Sequence, residues 1–465
     1  MHSRPDSGER LSSREYIGYA LGDTASNLFF QTFNIFLTYY YIDVWGILPG
    51  AIATMMLWVK LWDAANDPIM GAIADRTQTR WGKFRPYLLW MAVPYGVCGY
   101  LIFANPSLSQ NGKLIYAYIT YTLMLMAYTA INVPYSSLLG VISTSSRTRT
   151  MASSFRFVGA FGGGFLISLF VRPLVHGLGG DNEVRGFQYT MGIFAVISIV
   201  MFLICFVTTH ERVTPPPGQK TKVRRDLSDL VRNWPWIALL IASVFSTTFI
   251  LLRSGSTLFY FKYLVGDDGT PVLFGVLDKS TIFLSSNGLC QMLGAGCLAC
   301  VARKADKRVL AIVLSLITGV CYASFYFLPK DNFPLLLAVN AFGSICMGPT
   351  SALVWAMYGD VADYGEWKFG RRATGLVYSA SLFALKTGLM VGGFLLPFFL
   401  ARFGFVKDAV QTPTALLGIT LAFSVMPGVF AGLKAAALWV YPLSQKEVDR
   451  IEVALKERRT QPATA

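Results

Sequence analysis

The segment LWDAANDPIM, residues 61–70, puts Asp63 and Asp67 one helical turn apart, with Asn66 beside them and Pro68 directly after. Together with Lys60 the two acids are spaced i, i+3, i+7, so a helix carries all three on one face. Proline has no N–H, so the carbonyl of Ala64, four residues back, loses its helical partner. Two carboxylates, an amide oxygen and a carbonyl oxygen within two turns form the oxygen cluster that a hard cation prefers. Empty, the cluster crowds like charges, and one acid takes up a proton or pairs with Lys60; bound Na⁺ or H⁺ relieves that repulsion. The competing reading is a static salt-bridge cluster that only fixes helix packing.

A second group of residues is rich in amides and aromatic rings. Asn27, Gln31 and Asn34 share a helical face and precede Tyr39, Tyr40 and Tyr41; Tyr128, Thr129, Asn132 and Tyr135 surround Pro134. Arg156, Arg253 with Tyr260, Trp355 with Tyr358, and Tyr378 with Lys386 follow further along the chain. Amides, hydroxyls and guanidinium forks pair with sugar hydroxyls, and aromatic faces stack on pyranose rings. Any one of these residues could equally be interhelical glue. Their concentration on several segments favours a polar central cavity.

The elements that must hold these residues are membrane spans. Only 14% of the 465 residues are charged and the mean hydropathy is +0.49, whereas soluble domains average about 25% charged. Apolar runs able to cross a hydrocarbon core of roughly 30 Å recur near 16–42, 47–73, 86–105, 113–139, 152–176, 186–208, 236–264, 277–301, 309–328, 333–358, 373–401 and 413–441. Twelve spans are therefore expected, and the first, polar and without a small-residue cleavage site, is not a removable leader.

The net charge of +14 does not point to nucleic acid, because the charge is sided. Of 40 basic residues, 27 fall in segments expected on one face and eight on the other. That asymmetry is the positive-inside pattern and puts both termini in the cytoplasm. The seven cysteines lie in or beside spans; Cys297 and Cys300 form one CxxC, which reads as small packing residues rather than a zinc site. His2, His176 and His210 lie outside the spans or at their ends, which leaves no histidine metal site or proton relay. No nucleophile–base pair or phosphate loop marks an enzyme, and no cofactor is expected beyond the coupling ion.

The proline-rich stretch HERVTPPPGQKTKVRR, residues 210–225, divides the spans six and six. The expected organisation is a helical bundle over 1–208, a cytoplasmic linker over 209–235, a second bundle over 236–441 and a tail over 442–465, as in carriers built from repeats. Short basic turns recur at matching places: GAIADR with RWGK after span two, and ARKADKR after span eight. Asp75, Arg80 and Lys83, with Asp360, Asp363, Glu366 and Arg371 or Arg372, are candidates for a cytoplasmic gate. The first turn resembles the GxxxDRxGRR loop of the major facilitator superfamily, with residues inserted before its second glycine.

Three longer passages resemble the glycoside–pentoside–hexuronide:cation symporters, the group of the bacterial melibiose carriers. They are LWDAANDPIMGAIADRTQTRWGKFRP (61–86), NVPYSSL (132–138) and YGDVADYGEWKFGRRATGLVYSASLFALK (358–386). The resemblance implies an all-α integral membrane protein with twelve transmembrane helices in the major facilitator fold, working by alternating access. It also implies a cation site of Asp63, Asn66, Asp67 and Thr129, a sugar-binding arginine at Arg156, and a lysine at Lys386 that links cation and sugar sites. The chain departs from the melibiose carriers where they place acids for the galactoside, with Asn27 and Asn132 there, and has Ser136 where they place a tryptophan.

The expected activity is secondary active symport of a glycoside with Na⁺ or H⁺ across the cytoplasmic membrane, by a monomer surrounded by lipid. The residues expected at the sugar are Asn27, Asn132, Arg156, Tyr128, Arg253, Trp355 and Lys386. With two acids gone and three cations remaining, a β-linked pentoside, glucoside or uronide is favoured over an α-galactoside. A sodium-coupled lysolipid carrier is the first rival, but the amide-rich face of span one opposes an apolar cavity. A non-transporting membrane sensor is the second, and has no need of the acid pair together with both gate loops. In Asp67→Ala, cation-driven accumulation should be lost while sugar exchange persists; full accumulation in transport assays would remove the coupling role of the pair.

Overall fold

The computed structural model describes residues 11–143, 146–212, 232–267, 269–273, 275–301, 306–369, 374–407 and 409–460. Among them the backbone is helical apart from turns and two isolated bridges, Thr79 with Gly82 and Leu273 with Leu277. Eight described helices are long and apolar enough to cross a membrane. They are Gln110–Leu139, Val158–Gly179, Glu183–Thr208, Trp234–Val265, Lys307–Tyr326, Phe333–Phe369, Phe383–Arg402 and Pro413–Val440. Each overlies one of the expected spans. The other four expected spans are also helical, and their departures from a plain apolar rod have local causes.

Helix α1, Ser13–Thr32, continues into two π-helical stretches, Phe33–Leu37 and Tyr40–Val44. A π turn holds an extra residue and rotates the residues beyond it about the helix axis. The three tyrosines consequently serve packing rather than the polar face expected of them. Tyr40 donates its hydroxyl to Phe103 O at 3.0 Å, Tyr39 donates to Glu183, and Tyr41 is fully buried. Helix α2, Pro49–Arg76, stays helical through Pro68, and its mid-length charges Lys60, Asp63 and Asp67 interrupt its apolar run. The third span is broken into α3, Arg85–Trp90, and α4, Ala92–Ile102. Pro94 lacks the N–H that the Trp90 carbonyl would otherwise receive, which accounts for the break. Helices α5 (Gln110–Val141), α6 (Ser146–Gly179) and α7 (Glu183–Thr208) complete this half.

The chain forms two compact units. The first comprises residues 1–218, 267–285 and 406–410, and the second residues 219–266, 286–405 and 411–465. In the first, α1 packs along α6 and α7, and α2 along α5. Two loop segments from the later half of the chain belong to it. Arg172 on α6, 6% exposed, donates to Glu183 at 2.6 Å and to Asp278 at 3.1 Å. Burial, with the Asp278 carboxylate beside it, holds Asp267 above the usual carboxylate range. Lys407 donates to the Val44 carbonyl at 2.7 Å.

The second unit contains α8 (Trp234–Tyr260), α9 (Lys279–Val301, from residue 286), α10 (Lys307–Ala323), α11 (Phe333–Phe369), α12 (Thr374–Arg402), α13 (Pro413–Phe423), α14 (Val425–Val440) and α15 (Gln445–Thr460). Its core joins Trp236, Leu239, Leu353, Met357, Val361 and Leu438. The polar helix α15 seats Ile451 and Leu455 on that core. Lys434 on α14 is 3% exposed and donates to Thr350 Oγ1 at 3.0 Å.

The basic turn after α2 is tied down by an acid that its own sequence does not contain. Glu211, just past α7, accepts the backbone N–H groups of Lys83, Phe84 and Arg85 at 2.9, 2.7 and 3.0 Å. A carboxylate is favoured there because these amides begin helix α3. Glu211→Ala strips three donors of their acceptor and should cost about 2–3 kcal/mol. The expected result is a lower melting midpoint in detergent and faster tryptic cleavage at Arg80 and Lys83; an unchanged midpoint and cleavage rate would contradict it.

Candidate functional site

The acid pair and the amide-rich face meet on α5. Asp63 is 9% exposed and Asp67 partly buried, both on α2. The Thr129 hydroxyl lies 3.1 Å from Asp63 Oδ1 and 3.0 Å from Asp67 Oδ1. One hydroxyl carries one proton, so it donates to one carboxylate at a time and its lone pairs face whatever sits between them. Two such acids can share a proton or a monovalent cation. Asn66 is partly buried on the same helix and Lys60 lies one turn before Asp63. Among the described residues no three His, Cys, Asp or Glu side chains gather as a metal cluster.

One turn beyond Thr129, Asn132 faces α1. Its Oδ1 accepts from Ser26 Oγ at 3.0 Å and its Nδ2 donates to Tyr128 O at 3.2 Å. The Tyr128 ring stacks on Phe30 with centroids 5.7 Å apart. Asn27 donates Nδ2 to the Asp23 carbonyl at 2.9 Å. Threonine and asparagine three residues apart on a rigid helix thus connect the acid pair to the amide face within about 5 Å of helix length.

Arg156 reaches the same face from α6, and its partner was not among the residues the sequence singled out. Arg156 Nε donates to Asp23 Oδ1 at 3.1 Å, while its guanidinium lies 5.1 Å from the Tyr135 ring centroid. The approach of α6 to α1 depends on Gly159, where a Cβ would come within 2.6 Å of the Ala20 carbonyl oxygen. Thr24 reinforces it by donating to Gly159 O at 3.1 Å. An acid in mid-span within GYALGDTASN, one turn before Asn27, was the available signal for Asp23. Tyr135 itself is a packing residue: it donates to Tyr19 O at 2.6 Å and stacks on that ring.

The second unit holds the remaining residues expected at the sugar. Trp355 and Tyr358 line a cavity of about 70 Å³ with Ser243, Ser246, Thr247 and Ser351. Lys386 is partly buried on α12. Arg253, expected at the sugar, is 3% exposed and serves the packing of its own unit. It donates to Phe423 O at 2.8 Å and Asn340 Oδ1 at 3.3 Å, and lies over the rings of Tyr322, Phe325 and Phe423. Tyr260 stacks on Phe423 at 4.0 Å and so belongs to the same packing cluster.

Of the gate candidates, Asp360 is paired with Lys307 at 2.7 Å within the second unit. Asp363 and Glu366 are partly buried on α11. Arg80 covers the Trp81 ring at 4.4 Å and Lys83 lies 5.3 Å from the Phe84 ring. Arg371, Arg372, the Asp75 side chain and most of the linker lie outside the described residues.

Comparison with known proteins places the chain among transporters. The chain is 35% identical over 423 residues to the inner membrane symporter YicJ of Escherichia coli K12, covering 90% of each chain. It is 34% identical over 455 residues to the putative glycoside/cation symporter YagG of the same strain, covering 97% of this chain and 96% of that one. Its fold matches the crystal structure of a bacterial homologue of the human lysosomal transporter Spinster, with a TM-score of 0.68 at 14% identity, over 97% of this chain and 99% of that one. The architecture is therefore that of the major facilitator transporters. A family model described as MFS/sugar transport protein matches residues 18–445, and the chain belongs to that family.

Proposed function

We propose that this transporter moves a neutral glycoside together with Na⁺ or H⁺ through the inner membrane. As a sugar:cation symporter it is a secondary active carrier, and the finer assignments rest on its own residues. Asp63 and Asp67, with Thr129 and Asn66, bind the coupling cation. Asn27, Tyr128, Asn132 and Arg156 bind the sugar; within the second unit, Trp355 and Lys386 are the corresponding candidates. The basic turns face the cytoplasm, where Arg80, Lys83 and Asp360 with the other gate candidates govern access.

The observation that carries the reading is the Thr129 hydroxyl between two carboxylates, one turn from Asn132 on the same helix. A cation entering the acid pair repositions Thr129, and the rigid helix transmits that to the sugar side. Such a cation stabilises the conformation in which the site is assembled, and the sugar does the same from its side. Neutral glycosides are favoured because the positive excess inferred from sequence is smaller than its residues suggest. Arg156 is paired with Asp23 and Arg253 is engaged within its own unit.

Thr129→Ala leaves both acids in place and removes the hydroxyl. The half-saturation constant for the coupling cation should rise on the order of tenfold, as expected for loss of one charged hydrogen bond, whereas Thr129→Ser should stay near native. Counterflow and gradient-driven accumulation in proteoliposomes, run with and without Na⁺ and across pH, measure this. Cation dependence unchanged in Thr129→Ala would overturn the assignment. Absence of any sugar movement by the native chain would favour the sensor, and uptake of lysolipid alone the lipid carrier.

A further inference from the structure

The amide-rich face of α1 in the first unit also carries a carboxylate, Asp23, paired with Arg156. Asp23 lies four residues before Asn27 in chain order, hence on the same helical face, and Asn27 Nδ2 is bonded to its backbone carbonyl at 2.9 Å. We infer that Asp23 is a sugar-binding residue, which with Arg156 grips adjacent hydroxyls of a glycoside ring. This rests on the glycoside reading above and adds to it the group that selects the ring.

The chemistry comes from the geometry of the pair. The bond joins Arg156 through Nε to Oδ1 of Asp23, at 3.1 Å. A guanidinium has five N–H donors and a carboxylate has two acceptor oxygens. The pair can therefore offer donors and an acceptor side by side, the complement of two neighbouring hydroxyls, each of which donates and accepts. Arg156 retains 26% side-chain exposure and Asp23 10%, so the arginine side of the pair is open to a ligand. Polar groups able to meet further hydroxyls lie near the pair: Asn27 one turn along α1, and Asn132 bonded to Ser26, while Tyr135 packs beneath the guanidinium. Gly159 on α6 holds the two helices at the close approach the pair needs.

A purely structural ion pair makes a different prediction. If Asp23 serves only to hold and neutralise Arg156, its removal adds nothing once Arg156 is gone, and the double variant matches Arg156→Gln in sugar affinity. If Asp23 itself touches sugar, the double variant is weaker than either single variant. The experiment measures counterflow of p-nitrophenyl β-xyloside and p-nitrophenyl β-glucoside in proteoliposomes of the full chain. The variants are Asp23→Asn, Asp23→Glu, Arg156→Gln and the double Asp23→Asn/Arg156→Gln, each checked for a native melting midpoint after purification.

Asp23→Asn should raise the half-saturation constant for sugar on the order of 10- to 100-fold, the loss of a charged hydrogen bond, and Asp23→Glu should recover part of it. The double variant should melt like the native protein and bind sugar more weakly than either single variant. A double variant no weaker than Arg156→Gln, or native affinity in Asp23→Asn, would overturn the inference while leaving the glycoside reading intact. Failure of the native chain to move either probe would overturn that reading, and the inference with it.

Discussion

Everything in the first unit depends on the energy of two carboxylates inside a membrane bundle. A buried acid that is neither paired nor hydrogen-bonded is too costly to keep ionised. Asp63 and Asp67 are made tolerable by the Thr129 hydroxyl that reaches both. On the proposed function a positive charge arriving beside them relieves their repulsion. The cost of the acids is then the source of coupling, with the unit most stable when something cationic sits between α2 and α5. A helix that ignored this constraint would carry leucine at both positions and would transport nothing against a gradient.

The same constraint explains how the neighbouring polar groups are arranged. Arg156 and Asp23 meet as a pair, Asn27 is anchored on the carbonyl of Asp23, and Asn132 is anchored by Ser26. These polar side chains on α1, α5 and α6 each have a defined partner, as buried polar groups require. Such a face is pre-organised, so on the proposed function a sugar exchanging into these bonds loses little in ordering them. In the second unit Arg253 shows the opposite outcome. Its guanidinium is consumed by a carbonyl, an amide and three rings. Intramembrane charge alone does not mark a site; its partners must also leave it a surface.

The helical membrane architecture was legible in composition and apolar periodicity, because a lipid-exposed chain must satisfy its backbone within each helix. The interruptions were harder to read. The break at Trp90–Met91 follows from Pro94, but no residue type signals the π turns in Phe33–Leu37 and Tyr40–Val44, beside which Tyr39, Tyr40 and Tyr41 are buried. At the site, Asp63 and Asp67 were visible from spacing alone. Thr129 came from family resemblance, since a lone threonine in an apolar helix carries no signal of its own. Asp23 was passed over for Asn27 one turn on, because its partner Arg156 lies 133 residues away in the chain. Glu211 was missed because its partners are backbone amides 126 to 128 residues away.

The central claim is that cation and sugar sites are thermodynamically linked through α5, and linkage is reciprocal by necessity. The most direct measurement is binding of a transported glycoside to the purified protein by calorimetry, across Na⁺ concentration and pH. The account predicts that sugar affinity rises with one of these two cations, that sugar raises the affinity for that cation by the same factor, and that both effects vanish in Asp67→Ala. Sugar affinity indifferent to Na⁺ at every pH, and to pH itself, would contradict it.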